Sequence, residues 1–356
     1  MSLSARRLLT GAAALALTAT LAACSAPATP GASPASTASP AATASDKSVT
    51  LYSGRNETLV QPALDAFTQA TGIAVEVRYG GTAELAAQLL EEGDRTRAHV
   101  FLAQDAGALG AVAKAGRFAA LPAATLDQVA DAYSDPDGRW VGVTGRSRVL
   151  AYNPALLPAD QLPASVFDLT GPQWKGKVGV APTNASFQSF ITAMRVQHGD
   201  EKTRAFLAGL AANEPQVRER NGVIVSDIES GAYPVGLVNH YYLWELAAEK
   251  GVGADQLATK LHFFADGDTG ALINVSGVGL LTAQPDADGQ ALVDYLLSDA
   301  GQEYFATRTF EYPLVDGVAT APGLTPLEQL DAPDINLSDL DELEATISMI
   351  KEAGLL

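Results

Sequence analysis

The chain has 356 residues, with 23 Lys and Arg against 41 Asp and Glu and a formal net charge of −18. That balance argues against nucleic acid as a partner and against a polybasic hold on anionic lipid, and leaves a cationic ligand open. The single cysteine, Cys24, excludes intrachain disulfides and Cys-ligated metal clusters.

Arg6 and Arg7 precede the short apolar run LLTGAAALALTATLAA, which is too short and too rich in small residues for a membrane span. The run ends in LAAC, which resembles a bacterial lipobox cleaved before Cys24. Residues 1–23 therefore read as a lipoprotein signal peptide and Cys24 as the lipidation site. Residues 24–47, dominated by Ala, Ser, Thr and Pro, read as a flexible lipidated tether that lacks the apolar surface to offset chain entropy. No later stretch is apolar enough to span a bilayer. The expected localisation is the cell surface or periplasm, lipid-anchored to the outer face of a bacterial membrane, with no other membrane contact.

From Ser48 onward the pattern alternates. VTLYSG reads as a strand, ETLVQPALDAFTQATG as an amphipathic helix stopped by Gly72, and IAVEVRYGG as a strand. TAELAAQLLEEGD follows as a helix with Thr82 as the expected N-cap, then the strand AHVFLAQDAG and the helix ALGAVAKAG. This order implies βαβ units and a mostly parallel sheet whose strand-end loops SGRNE, YGG and AQDAG line one rim. VGVTGRSRVLAYN is a long strand-like run interrupted at Gly145 and a candidate crossover between lobes. KVGVAPTNASFQSFITAMRVQHG and AYPVGLVNHYYLWELAAEKG each read as strand, loop, helix. The last helix, SDLDELEATISMIKEAGLL, takes Ser338 as its expected cap. A tethered α/β body of this size suits a two-lobed solute-binding protein that closes over a small ligand and meets a permease.

Tyr241 and Tyr242 stand where the strand AYPVGLVN becomes a helix. The residues alone leave two readings: packing, or two phenols facing one ligand. The surrounding stretches LYSGRNETLVQPALDAFTQATGIAVEVRYG, AHVFLAQDAGALGAVAKAGRF, WKGKVGVAPTNASF, VNHYYLWELAAEKG, GDTGALINVSGVGLL and EYPLVDGV resemble the periplasmic ferric-ion-binding proteins of ABC importers. The resemblance covers about residues 49–316. It implies an α/β, bilobal periplasmic-binding-protein-like fold of two mixed-sheet lobes joined by crossover strands. The lobes would comprise residues 48–147 with 272–322, and 148–271 with 323–356.

The resemblance also implies that Tyr241 and Tyr242 bind ferric iron, Fe3+, as the transported ligand. The chemistry agrees, because this small, hard ion favours anionic oxygen. Bound cations displace the protons of weakly acidic ligands. Family members complete the shell with a synergistic anion, phosphate or carbonate. The matching loop is Thr183, Asn184, Ala185 and Ser186, at a helix N-terminus suited to anions, with Asn221 and Asn239 as amide donors. From the residues alone, Asn184 and Ser186 serve equally as helix caps. Phe187 stands where some relatives carry a third tyrosine. Asn56 and Gln104 stand where relatives offer a histidine and a glutamate, so the neighbouring Glu57 and Asp105 are candidate substitutes. Arg146 and Arg148 face either the anion or a hinge salt bridge. His99, His198, His240 and His262 have no metal-ligand spacing and are read as structural.

The implied function is capture of ferric iron and its delivery to an ABC importer permease by a monomer. The same bilobal design also serves oxyanions, thiamine and polyamines. An enzyme is not expected, since the body has no G-x-S-x-G, no phosphate-binding Walker loop and no cysteine. A Cys24→Ser form is expected to leave the membrane fraction while binding ligand normally. Soluble wild-type protein with an unmodified Cys24 overturns the anchor.

Overall fold

The computed structural model describes residues 47–284 and 286–356. The expectations for residues 1–46, including Cys24, lie outside them. The described residues form one compact unit.

The strands are β1 (Ser48–Ser53), β2 (Ala74–Tyr79), β3 (Val100–Ala103), β4 (Val141–Tyr152) and β5 (Val178–Val180). They continue with β6 (Gln216–Val217), β7 (Val235–Asn239), β8 (Lys260–His262), β9 (Ile273–Leu280) and β10 (Tyr312–Pro313). The helices are α1 (Glu57–Thr71), α2 (Thr82–Glu92), α3 (Ala106–Lys114), α4 (Ala123–Leu126) and α5 (Ala185–Ala212). They continue with α6 (Asn221–Glu229), α7 (Tyr242–Lys250), α8 (Ala287–Leu297), α9 (Asp299–Tyr304) and α10 (Leu343–Glu352).

Helix α1 buries Val60, Ala63, Leu64 and Phe67, a stripe at helical spacing. It ends where expected: Gly72, at φ 72°, donates its N–H to the Thr68 carbonyl at 2.9 Å. Helix α5 is interrupted at Gly199, whose φ of 80° breaks the helical path. Thr82 does not cap α2. It is the first helical residue, Gly81 holds the cap position, and the Thr82 hydroxyl is drawn elsewhere. It donates to the Gly54 carbonyl and accepts the Gln104 N–H, both at 3.2 Å. Ser338 does not cap α10, which starts five residues later. The Ser338 hydroxyl donates to Asp135 at 3.0 Å, and Ser338 sits in a short turn against α3.

The sheet is mixed rather than mostly parallel. Strand order is β2-β1-β3-β9-β4-β7-β5-β6, with β8 and β10 also on β4. The parallel pairs are β1 with β2 and β3, and β5 with β6 and β7. Every pair made by β4 or β9 is antiparallel. Two parallel halves are thus sewn together by two long strands, because β9 returns through the middle of the sheet. β4 runs unbroken past Gly145. Its register shift lies between Gly142 and Thr144, where the Cβ of a larger residue at 142 would meet the Leu314 side chain and the Tyr133 carbonyl at 2.7 Å. β4 pairs with β9 as far as Ser147 and with β7 from Arg148 onward.

Around the first half, Phe67, Phe101, Phe118 and Trp140 are fully buried; around the second, Phe187, Phe190 and Phe206 are. A second cluster, Ile224, Val225, Ile228, Val238 and Trp244, seats α6 and α7 against β7.

One polar contact crosses this frame. Arg55, at the carboxyl end of β1, forms a bidentate pair with Glu311, just before β10, at 2.9 and 2.7 Å. Both side chains are buried, and Thr309 donates to Glu311 at 2.9 Å. Burial by itself would raise the Glu311 carboxyl, but the Arg55 and Arg146 guanidinium groups outweigh it and hold the group below the ordinary carboxylate range. Its contribution is therefore present above that range and lost as pH falls through the depressed folded value. Glu311→Ala leaves a buried guanidinium without its partner and is expected to cost about 3–5 kcal/mol in denaturant unfolding. A cost under about 1 kcal/mol shows that water compensates Arg55.

Candidate functional site

The rim expected from the sequence is present. Gly54 donates to the Leu102 carbonyl at 2.8 Å and Gly80 to the Ser53 carbonyl at 3.2 Å. With the Thr82 hydroxyl, these bonds tie the ends of β1, β2 and β3 into one edge.

Opposite that edge, β7 runs into α7. Asn239 pairs with Arg148 on β4, and the next residue, His240, is locked in place. Its Nδ1 accepts the Ser147 N–H at 3.1 Å and its Nε2 donates to the Phe310 carbonyl at 2.9 Å. Burial pushes its pKa down to about 4, so the ring is neutral and structural, as expected. Pinning His240 turns its two successors the other way. Tyr241 and Tyr242 stack with ring centroids 4.3 Å apart and planes 29° apart. Tyr241 occupies the cap position of α7 and Tyr242 its first turn.

Both rings line a cavity of about 490 Å³. Arg55, Asn56 and Gln104 line it from the β1–β3 edge, and Asn184, Arg220 and Glu245 from the other side. A narrow pocket of about 10 Å³ also borders Gln104. It is lined by Asp105, Arg146, Arg148, Ala185, Ser186 and Asn239, among others. Most of the residues expected at the site are therefore brought together. Three line neither space: Glu57 is exposed on the first turn of α1, Thr183 faces a separate groove beside Arg218 and Leu355, and Asn221 is buried behind Ser186.

Several of the gathered side chains already have structural duties. Asn56 caps α1, its side-chain Oδ1 accepting the Thr58 N–H at 2.9 Å. Asp105 caps α3 through the Ala108 N–H at 3.2 Å and is buried beside Arg146. Burial raises its carboxyl, with the Ala108 bond and Arg146 opposing. Asn184 caps α5, accepting from the Ser186 N–H at 2.9 Å and the Ser186 hydroxyl at 2.6 Å. Asn221 donates to the Ser186 oxygen at 2.9 Å, and its own amide oxygen is buried without a partner.

The electrostatics favour negative charge. Arg146 bonds the Gln104 carbonyl and lies 3.7 Å from Glu311. Arg148 forms no ion pair among the described residues. It donates to the Leu237 carbonyl at 2.9 Å, to Ser186 at 3.3 Å and to the Asn239 side chain at 3.4 Å. Burial pulls its pKa down to about 9, opposed by the two tyrosines. Burial also raises both phenols, Tyr241 well above its ordinary value, so both are neutral near pH 7. Three buried arginines thus face two buried carboxylates, Asp105 and Glu311, across the site.

Arg55 and Glu245 were missed by sequence reasoning. Arg55 sits inside the quoted SGRNE loop, but its partner is 256 residues away. Glu245 carried a usable signal, since it lies three residues after Tyr242 on one helix face. A larger groove of about 730 Å³ lies beside Trp244, Phe263 and Phe310, and it has few polar groups to orient a ligand.

Two half-sheets sewn by long strands, with a polar cavity at the strand ends, define a bilobal α/β binding protein. Residues 97–338 match the family described as bacterial extracellular solute-binding protein, and the chain belongs to that family. A curated relative, the "Fe(3+)-binding periplasmic protein" of Serratia marcescens, is 36% identical over 314 residues, covering 88% of this chain and 92% of that protein. Iron-bound HitA from Pseudomonas aeruginosa superposes with a TM-score of 0.80 at 34% identity, over 86% of this chain and 99% of that one. A Trichodesmium protein solved in complex with iron and citrate superposes with a TM-score of 0.75 at 28% identity, over 87% and 100%.

Proposed function

We propose that this chain captures ferric iron through Tyr241 and Tyr242 and hands it to an ABC importer permease, held at the membrane through Cys24. The observation that carries the reading is the stacked tyrosine pair, aimed into a polar cavity by a pinned histidine. The two phenols share a recess with arginines. The relatives' names and bound ligands support the same cargo.

The chemistry follows from the geometry. Both phenols are neutral before binding, so each must lose a proton to coordinate iron, and uptake releases protons to solvent. Two phenolates leave a trivalent ion one unit positive. Arg148, lacking a carboxylate partner, favours one more negative group beside the Asn184–Ser186 loop. That group is a synergistic anion at the N-terminus of α5, and phosphate and carbonate both fit its donors. Two lobes bridged by β4 and β9, divided near Ser147 and Leu272, would close over this load. Loss of the phenolates on protonation makes acid a release signal.

The buried arginines favour one other reading, an oxyanion as the cargo itself. Colour separates the two, because phenolate-to-iron charge transfer gives a visible band and oxyanion binding gives none.

Tyr241→Phe and Tyr242→Phe each keep the packed ring and remove only the oxygen. Each is expected to weaken ferric binding by orders of magnitude and to abolish or shift the band. Unfolding stability should change little, since no cavity is created. A double variant with the wild-type spectrum reduces the pair to packing.

Ferric affinity is also expected to fall when phosphate and carbonate are both removed from the buffer. Equal affinity without them means that protein groups and water complete the shell.

A further inference from the structure

The ligand set implied by the tyrosine pair lacks a carboxylate from the first lobe. Asn56 and Gln104 are neutral, Glu57 is exposed outside the cavity, and Asp105 caps α3 in the pocket behind. Among the described residues, the carboxylates lining the cavity itself are Glu245 and Glu249, both on α7.

Glu245 is four residues after Tyr241 and three after Tyr242, and its N–H donates to the Tyr241 carbonyl at 3.0 Å. Residues at these spacings share a helix face, and side chains lean toward the helix N-terminus. The Glu245 carboxylate therefore projects back toward the phenols. It is partly buried and forms no ion pair among the described residues. Two guanidinium groups share the cavity: Arg55 commits both terminal nitrogens to Glu311, and Arg220 is exposed and forms no ion pair with Glu245. A half-buried carboxylate with no counter-charge is costly unless a cation joins it. Burial, followed by the charge of Glu311, pushes its carboxyl up to about 7. Glu249 is one turn further along α7 and exposed.

We propose that Glu245 is a third anionic oxygen ligand of the ferric ion, so that one helical turn supplies all three anionic protein donors. This rests on the tyrosine reading above. A carboxylate oxygen suits the hardness of a trivalent ion and with two phenolates offsets its charge, so that the synergistic anion is balanced by Arg148 rather than by the metal. The first lobe then closes with neutral donors.

The test uses Glu245→Gln, which keeps the size of the side chain, with Glu249→Gln as the control for through-space charge. Each full-length protein is titrated with ferric iron against citrate as competitor, and the visible spectrum is recorded. Glu245→Gln is expected to lose roughly 100-fold or more in affinity, beyond the 10–100-fold typical of residues that only support a ligand. Its charge-transfer band should move to longer wavelength, because iron that loses an anionic donor accepts phenolate electrons more readily. Glu249→Gln should lose far less affinity than Glu245→Gln and keep the wild-type band position, and thermal melting should show all three proteins folded. Wild-type affinity and band position in Glu245→Gln overturn the proposal and leave the tyrosine reading intact. An equal loss in Glu249→Gln also overturns it, reducing Glu245 to background charge. A wild-type protein with no band overturns both readings.

Discussion

The buried ion pair between Arg55 and Glu311 holds the site in its present form. Arg55 belongs to the loop after β1, which the Thr82 hydroxyl and two backbone bonds fuse to the ends of β2 and β3. Glu311 belongs to the segment that returns to β4 through β10. The pair thus fastens the β1–β3 edge to the strand shared by both half-sheets. It also neutralises a guanidinium that would otherwise compete with cationic cargo for the cavity. A buried pair of this kind gives little net stability against an apolar replacement, but losing one partner is severe. Its worth here is positional.

The opposite wall is built by different means. His240 is held on both ring nitrogens, and a neutral imidazole is required for that arrangement, with one nitrogen accepting and the other donating. Burial guarantees the neutral form near pH 7. The two tyrosines inherit their direction from this residue and from the β7–β4 pairing before it. One wall therefore depends on a charged pair and the other on an uncharged ring, and acid acts on both.

Local order was legible in the sequence. The alternation of strand and helix, the Gly72 stop and the tyrosine pair at a strand–helix junction all follow from short-range pattern. The capping role of Asn184 was also readable, since the helix start and the side chain lie within a few residues. What stayed hidden was set by distant partners. Thr82 has the chemistry of an N-cap, yet its hydroxyl bonds two other loops. Ser338 likewise bonds Asp135, 203 positions earlier. The mixed character of the sheet was missed because β9 inserts itself between β3 and β4, and no local signal announces where a strand will pair. Glu245 was hidden because short-range pattern does not separate it from the solvent-facing Glu249 on the same helix; only the cavity wall does.

Arg146 and Arg148 lie two positions apart on β4, so they project from the same face. Between them, at Ser147, the strand changes partner from β9 to β7. Arg146 is bonded to Gln104 on one side, and Arg148 to Leu237, Ser186 and Asn239 on the other. Any bending of β4 at Ser147 must therefore change the separation of two like charges held in a medium that screens them poorly. Arg146 has Glu311 beside it at 3.7 Å and Arg148 has no carboxylate partner among the described residues, so negative charge in the cleft acts chiefly on the Arg148 side of the crease. The backbone of a single strand is in this way made sensitive to the net charge of whatever occupies the cleft.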